Sequence, residues 1–345
     1  MRYTLLGKSG IRVSQLCLGT MVFGEYYNHD WGSGLDKSAS GRVLDAFADA
    51  DGNFVDTADY YTGGASETFL GELMHGRRDR FVLATKYTMQ TDTGDLNTAG
   101  SHRKNLAVSL ERSLERLQTD YIDLFWVHAY DTLTPIQEVM RALDDQVRLG
   151  KVLHVGVSNW PAWEISAANT LSDLRGWSPY VATQIKYNLM ERTPERELMP
   201  MARAYDLAVT AWSPLSGGLL TGKYLPGAGG EGTGRVVEYD ERTERIAREV
   251  VAVADEVAAT PSQVALAWLL GQPGTVIPIV GATSERQLEQ NLACLELRLT
   301  AEQVARLAAV SAVDAGYPHD FLQVEHIKNI VYGLERDLVD DRRSG

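Results

Sequence analysis

The sequence is poor in cysteine: Cys17 and Cys294 are the only two in 345 residues, both in apolar surroundings and without the short spacing of metal ligands or of a disulfide scaffold. Reduced core cysteines are expected, and no metal site. No apolar run approaches the ~18 residues of a membrane-spanning helix. The opening Met1-Arg2-Tyr3-Thr4-Leu5-Leu6-Gly7 also lacks the ~7–15-residue apolar segment of a secretory signal. A cytoplasmic protein without a membrane partner is therefore expected. Positive charge is scarce, with 33 Lys and Arg against 46 Asp and Glu and a net charge of −13. General nucleic-acid binding neutralises phosphates with Lys and Arg, so a nucleic-acid partner is not expected. The same imbalance slows anionic ligands unless local cations offset it, so a phosphate site should show as a few basic residues in glycine-rich sequence. Low-complexity linkers are missing too, which makes one domain over 1–345 the economical expectation.

What is present is alternation. Arg2 to Val13 reads as a hairpin around Gly7-Lys8-Ser9-Gly10. Short apolar strand candidates follow at 15–19, 53–57, 81–86, 121–128, 152–157, 181–185, 208–212 and 276–280. Helical periodicity fills the gaps at 38–51, 66–75, 102–118, 135–149, 161–174, 194–206, 240–258, 261–271 and 284–293. Further helices are expected over 300–313 and from Phe321 to about Val339, with a frayed tail at 340–345. Alternating β and α with near-continuously apolar strands implies a parallel sheet covered by helices. Eight such units fit a closed (β/α)8 TIM barrel better than an open sheet. No Gly-x-Gly-x-x-Gly follows the first strand, which argues against an open dinucleotide-binding fold. Two stretches lack periodicity: a loop at 25–37, and the glycine-rich 225–238, expected to be a mobile flap.

In a (β/α)8 barrel the active site lies at the C-terminal ends of the strands. The polar residues there are Thr20, Asp56, Lys86, His128, Ser158-Asn159, Gln184, Trp212-Ser213 and the segment Gly281 to Ser284. Asp, Lys and His thus arrive on consecutive strands, with Tyr60 and Tyr61 just beyond the aspartate. Each alone has a structural explanation, such as an ion pair, a core histidine or packing tyrosines. Together they can do chemistry. A lysine ammonium within ~4–6 Å of a phenol favours the phenolate and lowers the tyrosine pKa from ~10, the aspartate anchors the lysine, and the histidine can hydrogen-bond a substrate oxygen. Such a tyrosine can act as general acid toward a carbonyl oxygen.

These residues carry a resemblance. Asp-Thr-Ala-x-x-Tyr at 56–61, Thr85-Lys86, Asp120-Tyr121-Ile122-Asp123-Leu124-x-x-x-His128, Gly156-Val157-Ser158-Asn159 and Gln184-x-x-Tyr187-Asn188 are similar to motifs of the aldo-keto reductase superfamily. Ala211-Trp212-Ser213-Pro214-Leu215-x-Gly217-Gly218-Leu219-Leu220-Thr221-Gly222-Lys223-Tyr224 resembles the branch of the potassium-channel β-subunits and related bacterial reductases. The motifs run in order from about residue 5 to 295. The resemblance implies a tetrad: Tyr61, five residues after the aspartate, as proton donor in preference to Tyr60, Lys86 lowering its pKa, Asp56 paired with Lys86, and His128 orienting a carbonyl.

It also implies a nicotinamide dinucleotide across the barrel mouth, NADPH before NADH. Ser158, Asn159 and Gln184 would bind the carboxamide and Trp212 would stack on the nicotinamide, with Thr20, Met21 and Asp56 on the same side. Ser213, Pro214, Leu215, Gly217 and Lys223 would follow the pyrophosphate and ribose. Gly281, Thr283, Gln287, Gln290 and Asn291 would hold the adenosine end, where a helix N-terminus suits phosphate. Two departures stand out: Gln290 occupies a position where many members have Glu, and Gln287 one where some branches place an arginine. Lys223, Arg235 and Arg286 are the cations left for a 2′-phosphate. Tyr26, Tyr27, Trp31, Tyr87, Tyr130 and Trp160 are expected to form an aromatic-rich pocket for a small carbonyl substrate. The leading expectation is NADPH-dependent reduction of an aldehyde or ketone. Alternatives are a cofactor-binding redox-sensing or scaffold subunit with little turnover, and a barrel hydrolase or isomerase using Asp56 and His128. The spacing demands no oligomer, although members of the resembling branch assemble in rings.

Overall fold

In the computed structural model, described over residues 1–25, 34–227 and 240–339, the chain opens with an antiparallel hairpin of β1 (Tyr3–Leu5) and β2 (Arg12–Ser14). Eight parallel strands then close into a barrel: β3 (Cys17–Gly19), β4 (Phe54–Asp56), β5 (Val82–Tyr87), β6 (Ile122–Val127), β7 (Val152–Ser158), β8 (Tyr180–Lys186), β9 (Ala208–Trp212) and β10 (Val276–Val280). The ring follows chain order, and β10 returns to pair with β3. Between the strands lie α1 (Lys37–Asp49), α2 (Ala65–Leu73), α3 (Arg103–Leu117), α4 (Ile136–Arg148), α5 (Ala162–Arg175) and α6 (Leu198–Ala204). After β9 come α7 (Glu241–Glu256) and α8 (Pro261–Leu270), and after β10 come α9 (Glu285–Leu292) and α10 (Ala301–Val310). Capping boxes at Thr260/Gln263 and Thr300/Gln303 start α8 and α10 by satisfying first-turn amides. This is the (β/α)8 barrel read from the sequence.

Two apolar clusters hold the barrel. The larger lies between strands and helices and includes Phe47, Leu83, Phe125, Val157, Ile185 and Trp268. The smaller lines the barrel interior, with Cys17, Phe54, Ala84, Leu124, Trp126 and Ala208. Because strand side chains alternate between faces, Leu124 and Trp126 fall in the interior cluster while Phe125 and Val127 face the helices. The hairpin adds Leu6 and Val13 to the interior cluster. Gly7 (φ 55) follows β1, where a Cβ would lie 2.1 Å from the Val181 carbonyl, so only glycine permits this approach to the start of β8. Both cysteines are free and buried.

Met1–Ser311 form one compact unit and Ala312–Gly345 a second. The expected continuous helix from Phe321 to about Val339 is corrected: the second unit has α11 (His319–Gln323), α12 (Glu325–Tyr332) and a short turn at Arg336–Leu338. Val324 takes an extended conformation (φ −62, ψ 127) that interrupts the helix, and Gly333 (φ 82) ends α12. Within this unit Arg336 pairs with Glu325 at 2.6 Å. Residues 228–238 of the expected flap and the 340–345 tail lie outside the described residues. Among the described residues no single helix is long and apolar enough to cross a membrane.

One interior contact tests this packing. Gly156 is the cross-strand partner of Trp126, and a Cβ on it would stand 2.4 Å from the indole ring. That indole is fully buried and cannot move without opening the barrel interior. Gly156→Ala should therefore cost about 1–3 kcal/mol in urea denaturation through overpacking. Gly10→Ala, where a Cβ meets nothing within 4 Å, should stay within about 0.5 kcal/mol. Equal losses at the two positions would contradict the account.

Candidate active site

At the mouth of the barrel, β4 ends in Asp56 and β5 carries Lys86 on the inward face. Both are buried, and the Lys86 ammonium lies 2.5 Å from Asp56 Oδ2. The ammonium donates its two other hydrogens to the Thr57 carbonyl (2.8 Å) and to Tyr61 Oη (2.9 Å). An ammonium has three donors, so all are used. On the other side, Asp56 Oδ1 accepts from Trp126 Nε1 at 2.9 Å and from Gln184 Nε2 at 3.0 Å. A buried ion pair is costly unless its remaining hydrogen-bonding capacity is met, and here partners from β6, β8 and the loop after β4 meet it.

Tyr61 arrives on a tight turn. Thr62 (φ 49), Gly63 (φ 64) and Gly64 (φ 90) are three consecutive left-handed residues between β4 and α2. Thr62, a β-branched residue in a conformation it rarely adopts, is held by its hydroxyl, which donates to the Phe23 carbonyl at 2.7 Å. A buried hydroxyl cluster ties this loop to the barrel: Ser66 Oγ lies 3.0 Å from Thr20 Oγ1 and 2.9 Å from Thr57 Oγ1. Left-handed backbone also occurs at Asn159, Ser213 and Ser216, which places these strained residues in the strand-to-helix loops of the mouth. Tyr60, by contrast, is 52% exposed and makes no contact with Lys86. The tetrad residues named from the sequence are thus brought together, with Tyr61 rather than Tyr60 on the lysine.

His128 follows β6, its ring 5.9 Å from that of Tyr61 at a steep angle. Burial, reinforced by the Lys86 charge, holds its pKa well below the usual imidazole value, so the ring is neutral, and Nδ1 has no hydrogen-bond partner among the described residues. Burial alone would lower the Lys86 pKa, but Asp56 and Tyr61 outweigh it and the net shift is upward. For Tyr61 the expectation of a lowered pKa is corrected. Burial is the largest influence and raises it, Lys86 opposes burial, and Asp56 adds to the rise. The lysine acts in the expected sense but does not prevail, and Tyr61 is a protonated phenol at neutral pH.

The sequence model of the Aldo/keto reductase family matches residues 15–312. The chain belongs to the aldo-keto reductase family. It is similar to a norsolorinic acid reductase of Emericella nidulans, 37% identical over 321 residues that cover 91% of this chain and 82% of the relative. It is also similar to a putative aryl-alcohol dehydrogenase of Saccharomyces cerevisiae, 36% identical over 337 residues, 93% and 89% of the two chains. A third relative, an aryl-alcohol dehydrogenase [NADP(+)] of Phanerodontia chrysosporium, is 35% identical over 330 residues, 90% and 86% of the two. These relatives are fungal reductases and dehydrogenases; the finer resemblance to channel β-subunits rests on the motifs alone.

Of the residues named for a dinucleotide in this aldo-keto reductase, those among the described residues lie on strand ends, on the loops that follow them and on α9. Asn159 Nδ2 bonds Ser158 Oγ and the His128 carbonyl, both at 2.9 Å, and Asn159 Oδ1 accepts from Trp212 Nε1 at 3.1 Å. Ser158 and Gln184 are buried, with Gln184 committed to Asp56 through Nε2. Beyond β9, Ser213, Leu215 and Gly217 are part-exposed, Pro214 is buried and Lys223 is exposed. Gly217 (φ 64) and Gly218 (φ 96) leave a stretch of backbone free of side chains. Past β10, Gly281, Thr283 and Gln290 are exposed and Asn291 is buried. Gln287 Oε1 accepts from the Thr283 amide (2.7 Å) and hydroxyl (3.0 Å), so this side chain shapes the turn that opens α9. An indole, a set of amides, a side-chain-free turn, a cation and a helix N-terminus around one mouth fit a nicotinamide dinucleotide. Met21 is part-exposed beside the loop after β3. Thr20 is corrected: it is fully buried and its hydroxyl is spent on the Asp56 carbonyl and Ser66.

Tyr87 is corrected as well. Next to inward-facing Lys86, it points to the helix layer, fully buried, stacked on Phe125 and bonded to the Ser101 carbonyl at 3.1 Å. Trp160 is largely buried against Tyr130 and Tyr180, yet lines a groove of ≈ 400 Å³ with Tyr130 and Asn159. Tyr26, Tyr27, Trp31 and Arg235 lie outside the described residues. Sequence reasoning missed Trp126, although its position two residues before His128 on β6 is the signal that places it on the interior face. It also missed Asp59, a carboxyl 3% exposed and two residues before Tyr61. Among the described residues neither Asp59 oxygen has a hydrogen-bond partner, although Ser109 and the Tyr60 amide lie close enough to act against the rise in its pKa. Burial and then the neighbouring Glu67 carboxylate raise its pKa from 3.8 to about 8, with Arg116 partly opposing them.

Asp59 sets a pH prediction. A carboxyl with a raised pKa binds more protons folded than unfolded, so its stability contribution is complete below 3.8 and is lost as pH rises to about 8. The loss amounts to several kcal/mol at most, at about 1.4 kcal/mol per pKa unit. Asp59→Asn should therefore melt progressively higher than wild type as pH goes from 4 to 8, with the gap levelling above that. A gap independent of pH would show that Asp59 does not titrate there.

Proposed function

We propose that the chain reduces an aldehyde or ketone to the alcohol with NADPH as hydride source and Tyr61 as proton donor. The observation that carries this reading is the direction of one hydrogen bond. Lys86 can only donate, so Tyr61 Oη accepts at 2.9 Å and its own hydrogen is left to point elsewhere. A carbonyl oxygen beside the Tyr61 hydroxyl, with the His128 ring 5.9 Å from the phenol ring, would receive that hydrogen. A bound nicotinamide would supply the hydride. As the C=O π electrons move onto oxygen, the Tyr61 O–H bond breaks and the proton passes to that oxygen. The phenolate left on Tyr61 is held by the Lys86 ammonium until solvent restores the proton. Tyr61 carries its proton at neutral pH, and the Lys86 charge, which opposes the rise in its pKa, favours the phenolate once that proton is given up.

NADPH rather than NADH is supported by Lys223 and Arg286, cations in an otherwise acidic chain, and by the NADP(+) in one relative's name. The named substrates of the relatives, norsolorinic acid and aryl alcohols, and the aromatic lining at Tyr130 and Trp160 support an aromatic carbonyl compound.

The test follows NADPH binding by fluorescence and then its oxidation with 4-nitrobenzaldehyde. Turnover is expected, with roughly 10²-fold or greater loss in kcat for Tyr61→Phe and little loss for Tyr60→Phe. NADPH binding without turnover of any aldehyde, or the opposite ranking of the two tyrosines, overturns the reading.

A further inference from the structure

The groove of ≈ 400 Å³ beside the mouth is walled mostly by apolar side chains, including Tyr130, Trp160, Ile185 and Leu198, but two charged residues also line it, Lys186 and Glu191. They are not equivalent. Glu191 Oε1 is engaged by the amide and hydroxyl of Thr193. The neighbouring Glu164 is occupied by the Tyr130 hydroxyl at 2.5 Å. Lys186 is exposed and has no ion pair or hydrogen bond among the described residues. Its ammonium stands 5.8 Å from the centre of the Trp212 indole, a contact that leaves its N–H donors free.

The position of Lys186 follows from the barrel. It ends β8 two residues beyond Gln184, so strand alternation keeps both on the face that carries the Asp56 contact. Across the sheet its partner is Trp212. Asn159 lines the groove and also bonds Trp212 and the His128 carbonyl, which ties one wall of the groove to the chain at His128. A protein of net charge −13 disfavours anions in general, and Lys186 is the cation that lines this mainly apolar groove, without an ion pair among the described residues.

We propose that Lys186 is a specificity-determining residue that selects aromatic carbonyl substrates bearing an anionic substituent, a carboxylate or phenolate, seated in this groove. This rests on the carbonyl-reductase reading above. The aromatic body packs on Tyr130 and Trp160, and the anionic group meets the Lys186 ammonium.

The experiment compares kcat/KM for 4-formylbenzoate with that for its neutral methyl ester, at fixed saturating NADPH, in wild type and in Lys186→Gln, Lys186→Glu and Lys186→Arg. Intrinsic reactivity cancels when the acid-to-ester ratio is compared between enzymes. The ratio should fall about 5-fold in Lys186→Gln, the scale of a solvent-accessible ion pair. It should fall further in Lys186→Glu and be retained in Lys186→Arg, and raising salt should lower it in wild type and Lys186→Arg but not in Lys186→Gln. An unchanged ratio in Lys186→Gln overturns the assignment. So does a parallel loss with both substrates accompanied by a raised KM for NADPH, which would make Lys186 a cofactor contact. Absence of turnover with both aldehydes in the wild type would instead sink the reductase reading, so the two failures are distinguishable.

Discussion

The buried pair of Lys86 and Asp56 is the constraint on which the mouth of this barrel depends. Two charges withdrawn from water lose several kcal/mol of solvation each, and their mutual attraction recovers this only when the remaining donors and acceptors are satisfied. The Thr57 carbonyl and Tyr61 Oη complete the ammonium, while Trp126 and Gln184 complete the carboxylate. Each of those partners is fixed by a different piece of backbone, so the electrostatic requirement of one ion pair aligns much of the barrel's upper rim. Tyr61 belongs to this network as an acceptor from Lys86.

Below that layer the interior is apolar, filled by Leu124, Ala84, Phe54 and the hairpin residues Leu6 and Val13. Polar chemistry is confined to the end of the barrel where the strands stop and the loops begin. The left-handed residues at Thr62, Asn159, Ser213 and Ser216 sit in those loops, and hydrogen bonds to neighbouring loops hold them there. Asp59 is a second concentration of stress. A buried carboxyl next to Glu67, itself bound by Arg116 at 2.7 Å and by Thr85 at 2.5 Å, is tolerated by staying protonated. It lies directly behind the loop that delivers Tyr61.

Much of this was legible in the sequence where the signal was periodic or local. Strand alternation and helix spacing identified the barrel, and the polar residue at each strand end identified Asp56, Lys86, His128, Asn159 and Gln184 as neighbours. Local patterns misled where they had to decide orientation. Tyr87 looks like a pocket residue because it follows Lys86, but the two-residue period turns it to the opposite face. Thr20 sits at a strand end, yet its hydroxyl is consumed by the Asp56 carbonyl. The terminal helix was overextended because the apolar pattern continues through Val324 while the backbone there does not.

By itself the sequence determined the order of strands and helices, the family, and the set of side chains gathered at the mouth, because each of these is written in spacing along one chain. Tertiary structure decided what those side chains do to each other. The balance of burial against charge at Tyr61, the neutrality of His128, the protonated state of Asp59 and the lack of an ion pair at Lys186 among the described residues depend on desolvation and distance. Both are sums over residues brought from remote parts of the chain, so no local pattern encodes them.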